Sequence, residues 1–84
     1  MFQSYRSKPS EIKAYHLTPA MLEKGNPLPP GVMRHHMFEN LCFVTTIQGQ
    51  DVEVRPGEWI VQEADGVHHY PIADEVFDRK YERI

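Results

Sequence analysis

From Phe43 onward, apolar and polar residues alternate with the two-residue period of half-buried strands. Phe43-Val44-Thr45-Thr46-Ile47 runs into a Gln48-Gly49-Gln50 turn, and Asp51-Val52-Glu53-Val54 follows. Arg55-Pro56-Gly57-Glu58 reverses the chain into Trp59-Ile60-Val61-Gln62-Glu63. Asp65-Gly66, the strongest hairpin signal in the chain, then leads to Val67-His68-His69-Tyr70-Pro71-Ile72. The pattern predicts a meander of four short strands and hence a small β-rich domain.

Upstream the pattern is more varied. Lys8-Pro9 predicts an extended lead-in, because a residue before proline is pushed out of helical geometry. Ser10 to Leu17 alternates, with Ile12, Ala14 and His16 on one face and Glu11, Lys13, Tyr15 and Leu17 on the other, which predicts a strand. Thr18-Pro19 has the form of a helix cap followed by proline at the first helical position. Ala20 to Lys24 is therefore expected to make one or two helical turns, stopped by Gly25. Asn26 to Gly31 holds three of the seven prolines and reads as a rigid connecting loop, with a partner-docking proline motif as the minority alternative. Val32 to Leu41 fits neither period and is expected to form a short helix or an irregular edge strand.

At the far end, Ala73-Asp74-Glu75-Val76-Phe77-Asp78 places acidic residues where the first turn of a helix favours them, and Lys80 to Ile84 is expected to finish as a short strand. No repeat, low-complexity tract or linker interrupts the chain. Residues 1–84 are therefore read as one domain, in which residues 18–41 form a variable insert between the first strand and the C-terminal meander. The expected fold class is α+β or mainly β: a small twisted antiparallel sheet or partly closed barrel with one or two short helices.

Composition adds bounds. A chain of 84 residues that is 40% hydrophobic and 11% aromatic can form a core, although a domain of this size buries only about 60% of its unfolded surface. The formal charge of −3 removes the strongest electrostatic reason to expect nucleic acid, so none is expected as a partner. A single cysteine, Cys42, cannot form an intramolecular disulfide and fits a reducing compartment. Met1 to Lys8 has no apolar signal-like core and no run is long enough to span a bilayer, which gives the expectation of a cytoplasmic protein without membrane contact.

Candidate chemistry centres on five histidines: His16, His35, His36, His68 and His69. Zinc needs closely spaced ligand pairs, and neither Cys-x-x-Cys nor His-x-x-x-His occurs. Adjacent histidines in a regular strand face opposite ways, so His68 and His69 cannot chelate together there. A helix over His35 to Cys42 would bring His35 and Glu39 one turn apart, the one local arrangement suited to sharing a metal. Cys42 opens an apolar strand and reads as a small buried hydrophobe rather than a nucleophile. The acidic residues fall in mixed-charge stretches and read as solvated faces, while Gly49, Gly57 and Gly66 each serve a separate turn rather than a phosphate loop. Hence no catalytic residue, no metal and no cofactor is expected. Trp59, Tyr70 and Phe77 are either core residues or aromatic anchors for a partner, and core is the favoured reading for Trp59. An acidic and aromatic surface on so small a domain would suit a basic groove on another protein.

Several short motifs recur in one known order. These are Tyr5-Arg6-Ser7-Lys8-Pro9, Ile12-Lys13-Ala14, Pro56-Gly57-Glu58-Trp59-Ile60-Val61, Gly66, Tyr70-Pro71, Glu75-Val76-Phe77 and Tyr81-Glu82. Together they resemble a family of small phage and prophage accessory proteins, mostly of unassigned function. Its members begin with a Tyr-Arg-Lys-Lys-Pro-like stretch and end with a Pro-Gly-Asp-Trp-Ile, Gly, Tyr-Pro and Asp-Ile-Phe-Glu-x-Thr-Tyr-Glu-like series. The likeness covers Tyr5 to Leu17 and Thr45 to Arg83, while Thr18 to Leu41 has no counterpart. Glu58, His68-His69 and Arg79-Lys80 depart from the pattern without breaking its turns. The resemblance implies a phage provenance and a compact fold, and it carries over no catalytic residue.

Small phage accessory proteins often act by binding and blocking a bacterial protein. The expectation is therefore a non-enzymatic binding module that inhibits a host or anti-phage defence protein in the bacterial cytoplasm. The expected partner-binding residues are His35, His36, Phe38, Trp59, His68 and Tyr70, with the least regular segment, Val32 to Leu41, at the working surface. Two alternatives stay open: an oligomeric sponge that sequesters a small nucleotide signal, and a virion or assembly component. Homo-oligomers through exposed strand edges also stay open, although Glu53, Arg55 and Lys80 are charges of the kind that block edge pairing.

Overall fold

A computed structural model describes residues 2–6, 11–38 and 40–83. Eight strands form two antiparallel sheets. The larger contains β1 (Gln3–Arg6), β2 (Glu11–His16), β6 (Trp59–Gln62), β7 (His69–Ile72) and β8 (Glu82–Arg83), in the order β7-β6-β2-β1-β8. The smaller contains β3 (Met33–Arg34), β4 (Cys42–Thr45) and β5 (Asp51–Val54), in chain order. A single 3₁₀ turn, Pro19–Leu22, and one helix, α1 (Asp74–Lys80), complete the elements. Among the described residues the fold is thus mainly β with one short helix, and its two sheets do not close into a barrel.

The strands after Phe43 exist as the alternation predicts, but they do not form one meander. β4 pairs with β5 and β6 pairs with β7, whereas β5 and β6 belong to different sheets. The Arg55-Pro56-Gly57-Glu58 turn is a corner rather than a hairpin. Its ends are claimed by β2's continuation, where Leu17 N–H donates to the Glu58 carbonyl and Gly57 N–H donates to the Leu17 carbonyl, both at 2.8 Å. β6 accordingly lies beside β2, with His16 opposite Trp59, Tyr15 opposite Ile60 and Ala14 opposite Val61. The Asp65-Gly66 hairpin forms as read, closed by Glu63 N–H donating to the His68 carbonyl at 2.8 Å.

This arrangement buries both faces of β2 and β6. On one face, Tyr15, Leu17 and Ile60 pack with Val32, Cys42, Val44 and Val54 to form the core between the sheets. On the other, Ala14 and Val61 pack under Phe77 and Tyr81, with Ile12, Trp59, Tyr70 and Ile72 around them. Burying an aliphatic side chain such as Ile60 or Leu17 contributes about 1.5–3 kcal/mol, so the central pair of strands carries much of the stability. Ile12, Ala14 and His16 share a face as the period indicates, yet the opposite face is a core too.

The amino-terminal half adds a strand that the sequence reading does not contain and departs from that reading at the expected helix. Gln3–Arg6 is a strand, paired with β2 on one side and β8 on the other. Thr18 makes no side-chain cap, and the helical segment reduces to one 3₁₀ turn before the chain turns at Gly25 with φ +90°. Val32 to Leu41 takes the edge-strand alternative, with β3 two residues long at the edge of its sheet. The extended reading of Lys8-Pro9 and the ligand reading of Glu39 fall outside the described residues.

Candidate functional site

Strand alternation sorts the small sheet into an inner and an outer face. Arg34, Cys42 and Val54 lie opposite one another, as do Val44 and Val52, and this set faces the core. Arg34 reaches past it to donate from Nη2 to the Leu22 carbonyl at 2.9 Å. Met33, Phe43 and Glu53, followed by Thr45 and Asp51, therefore occupy the outer face. Thr45 Oγ1 donates to Asp51 Oδ1 at 2.8 Å, and Arg55 Nε donates to Glu53 Oε2 at 3.4 Å.

The loop joining β3 to β4 is organised around His35. Its backbone N–H donates to the Leu41 carbonyl at 2.8 Å, and Leu41 N–H donates to the Phe38 carbonyl at 2.9 Å. His35 Nδ1 accepts the backbone N–H groups of Met37 at 3.1 Å and Phe38 at 3.2 Å. An accepting Nδ1 carries no proton, which assigns the neutral ring's proton to Nε2. The ring is thereby fixed, and it stacks on His36 with centroids 5.0 Å apart and planes 12° apart, with Phe38 tilted against it at 5.2 Å. The loop leaves Met37 70% and Phe38 55% exposed, and Met33 of β3 is 46% exposed. Between this loop and β5 runs an open groove of about 390 Å³, lined by His35, His36, Leu41, Cys42, Phe43, Asp51 and Glu53.

A second depression, of about 400 Å³, lies at the start of β3, where Gly31, Met33 and Thr45 meet Val67, His68 and His69. His69 is buried and its Nε2 has no hydrogen-bond partner. Burial pushes its proton affinity below that of an ordinary histidine, only partly offset by the carboxylates of Asp65 and Glu63. His68 instead serves the turn. Its Nδ1 meets Asp65 Oδ2, while Asp65 Oδ1 accepts the N–H groups of Val67 and His68, each at 2.9 Å. Those donors hold the Asp65 carboxyl down to about 2.

The six residues expected to bind a partner thus do not share one surface. His35, His36 and Phe38 come together. Trp59 lies in the layer beneath α1, stacked on Phe77 at 4.0 Å and on His16 at 4.8 Å, with Nε1 donating to Asp74 Oδ1 at 2.7 Å. Tyr70 is half-buried in the same layer, its hydroxyl 3.4 Å from that of Tyr81. His68 is held in the β6–β7 turn. Met33, Met37, Asp51 and Glu53, not singled out by sequence, complete the outer face. The alternation of β4 and β5 carries their orientation, but only once the inner face is known. Cys42 is buried between the sheets, as its apolar surroundings imply. Among the described residues, no three His, Cys, Asp or Glu side chains group to hold a metal, and no helix is long and apolar enough to cross a membrane.

Compared with protein-family models, with curated proteins and with solved structures, the chain matches none.

Proposed function

We propose that this chain is a non-enzymatic binding module that docks on another protein through the outer face of its three-stranded sheet. The observation that carries the reading is the apolar rim of Met33, Met37 and Phe38 beside the fixed His35–His36 pair. Side chains of this size and type, exposed on β3 and the loop that follows it, supply the central contacts of protein interfaces. Asp51 and Glu53 beside them favour a basic partner surface. The phage-like motif order suggests the partner class: a bacterial host or anti-phage defence protein, inhibited by being covered. An interface of ordinary size takes about 800 Å² from each side, and the chain's whole accessible surface is 5611 Å².

The test uses the tagged chain recovered from bacteria that carry varied phage-defence systems, read by native mass spectrometry. The expected result is a protein in fixed ratio that is retained by the wild type and lost from Phe38→Ser and Met37→Ser variants of unchanged melting temperature. Co-purification that is indifferent to both substitutions would remove the outer face from the reading.

A further inference from the structure

We infer that the groove between the β3–β4 loop and β5 receives an arginine side chain of the partner protein. The inference rests on the docking reading above and names the chemistry of what docks. Three surfaces of the groove each match one part of arginine. Its apolar lining includes Leu41 and Phe43, and takes the three-carbon stem that long cationic side chains lay along apolar surface. The loop contributes His36, an exposed flat ring of the kind on which a planar guanidinium packs, backed by His35, which lies between His36 and Phe38. β5 contributes Asp51 and Glu53, two residues apart and so on one side of the strand, about 6.4–6.8 Å between successive same-face positions. A guanidinium carries five N–H donors in a fixed fork, enough to meet both carboxylates, whereas an ammonium is a compact ion without a face to stack.

The chain already places a guanidinium against one of these carboxylates. Arg55 Nε donates to Glu53 Oε2 at 3.4 Å, with the Arg55 side chain 75% exposed. So long and solvated a contact is worth little, and an incoming arginine held on three sides displaces it. Asp51 spends one oxygen on Thr45 Oγ1, which orients the carboxylate and leaves acceptor capacity for an incoming donor. His35 cannot swing away to close the groove, because its Nδ1 is tied to two backbone N–H groups of its own loop.

The experiment titrates the isotope-labelled full chain with Ac-Gly-Arg-Gly-NH₂, and with the lysine and citrulline peptides of the same length, following backbone amide shifts. The arginine peptide is expected to give saturable shifts confined to residues 35–36, 41–43 and 51–53. The citrulline peptide, isosteric but uncharged, should bind at least about tenfold more weakly, and lysine should fall between them. The double variant Asp51→Asn/Glu53→Gln should lose at least about tenfold in arginine affinity at an unchanged melting temperature. Equal binding of arginine and citrulline, shifts outside the groove, or full affinity in the double variant would each overturn the inference. The Met37 side chain does not line the groove, so loss of a partner by Met37→Ser tests the docking reading separately from the arginine within it.

Discussion

The His69 imidazole lies flat against Gly31, so close that a methyl group on Gly31 would overlap it, with Cε1 and Cγ both 2.6 Å away. Gly31 also holds φ +83°, a conformation that costs other residues about 1–2 kcal/mol. The proline-rich loop thus reaches β3 only because position 31 lacks a side chain. Around it, Tyr15 donates its hydroxyl to the Pro30 carbonyl and Val32 N–H donates to the Pro29 carbonyl at 3.2 Å.

Gly31→Ala should therefore cost at least about 2 kcal/mol, a fall in Tm of about 8–16 °C. Gly25→Ala is the control. That glycine has φ +90° with nothing within 4 Å of an added Cβ, so it should lose only the backbone part, about 1 kcal/mol. Equal melting temperatures for the two variants would show that the His69 contact carries no weight.

His69 gives the fold an acid-sensitive point. Its folded-state proton affinity is lowered chiefly by burial, so the native state binds fewer protons there than the unfolded chain. The stabilising contribution of the neutral ring is complete above the unfolded value of 6.5 and is lost as pH falls from there through the folded value. The Asp65 contribution is lost in a lower window, from 3.8 down to about 2, because its depressed carboxyl must take up a proton. An NMR titration of the His69 ring protons should give a midpoint below 6.5, and a midpoint at or above that value would refute the assignment.

Trp59 and Asp74 form a pair that ties the large sheet to the first turn of α1. Trp59→Phe keeps an aromatic ring between His16 and Phe77 but removes the Nε1 donor, and Asp74→Ala removes the acceptor. Each should destabilise the domain, and the double variant should lose less than the sum by about 1 kcal/mol. Urea unfolding of the four proteins measures that coupling, and strict additivity would mean that the bond contributes nothing.

The candidate site was only partly legible in the sequence. His35, His36 and Phe38 stood out because their segment fitted neither helical nor strand period, and the structure gathers them around one loop. Trp59 and Tyr70 were drawn in as aromatic residues of short strands, where a single alternating face is the usual expectation. Here β6 has a core on each side and Tyr70 of β7 packs against the same layer, so both aromatics lie with Phe77 and Tyr81. Asp51 and Glu53 were hidden for the complementary reason: alternation says that they share a face without saying whether that face is covered.

What the sequence determined by itself is local. The Asp65-Gly66 hairpin, the turn at Pro56-Gly57, the existence of the strands after Phe43 and the acidic first turn of α1 all follow from backbone preferences and side-chain period, which act over a few residues. What only the tertiary structure decided is which strands become neighbours. β6 leaves β5 for β2, Gln3–Arg6 joins the sheet between β2 and β8, and Gly31 meets His69 across 38 positions of chain. Those pairings depend on how apolar faces from distant segments bury one another. That is a property of the whole chain's packing, and no short window of residues contains it.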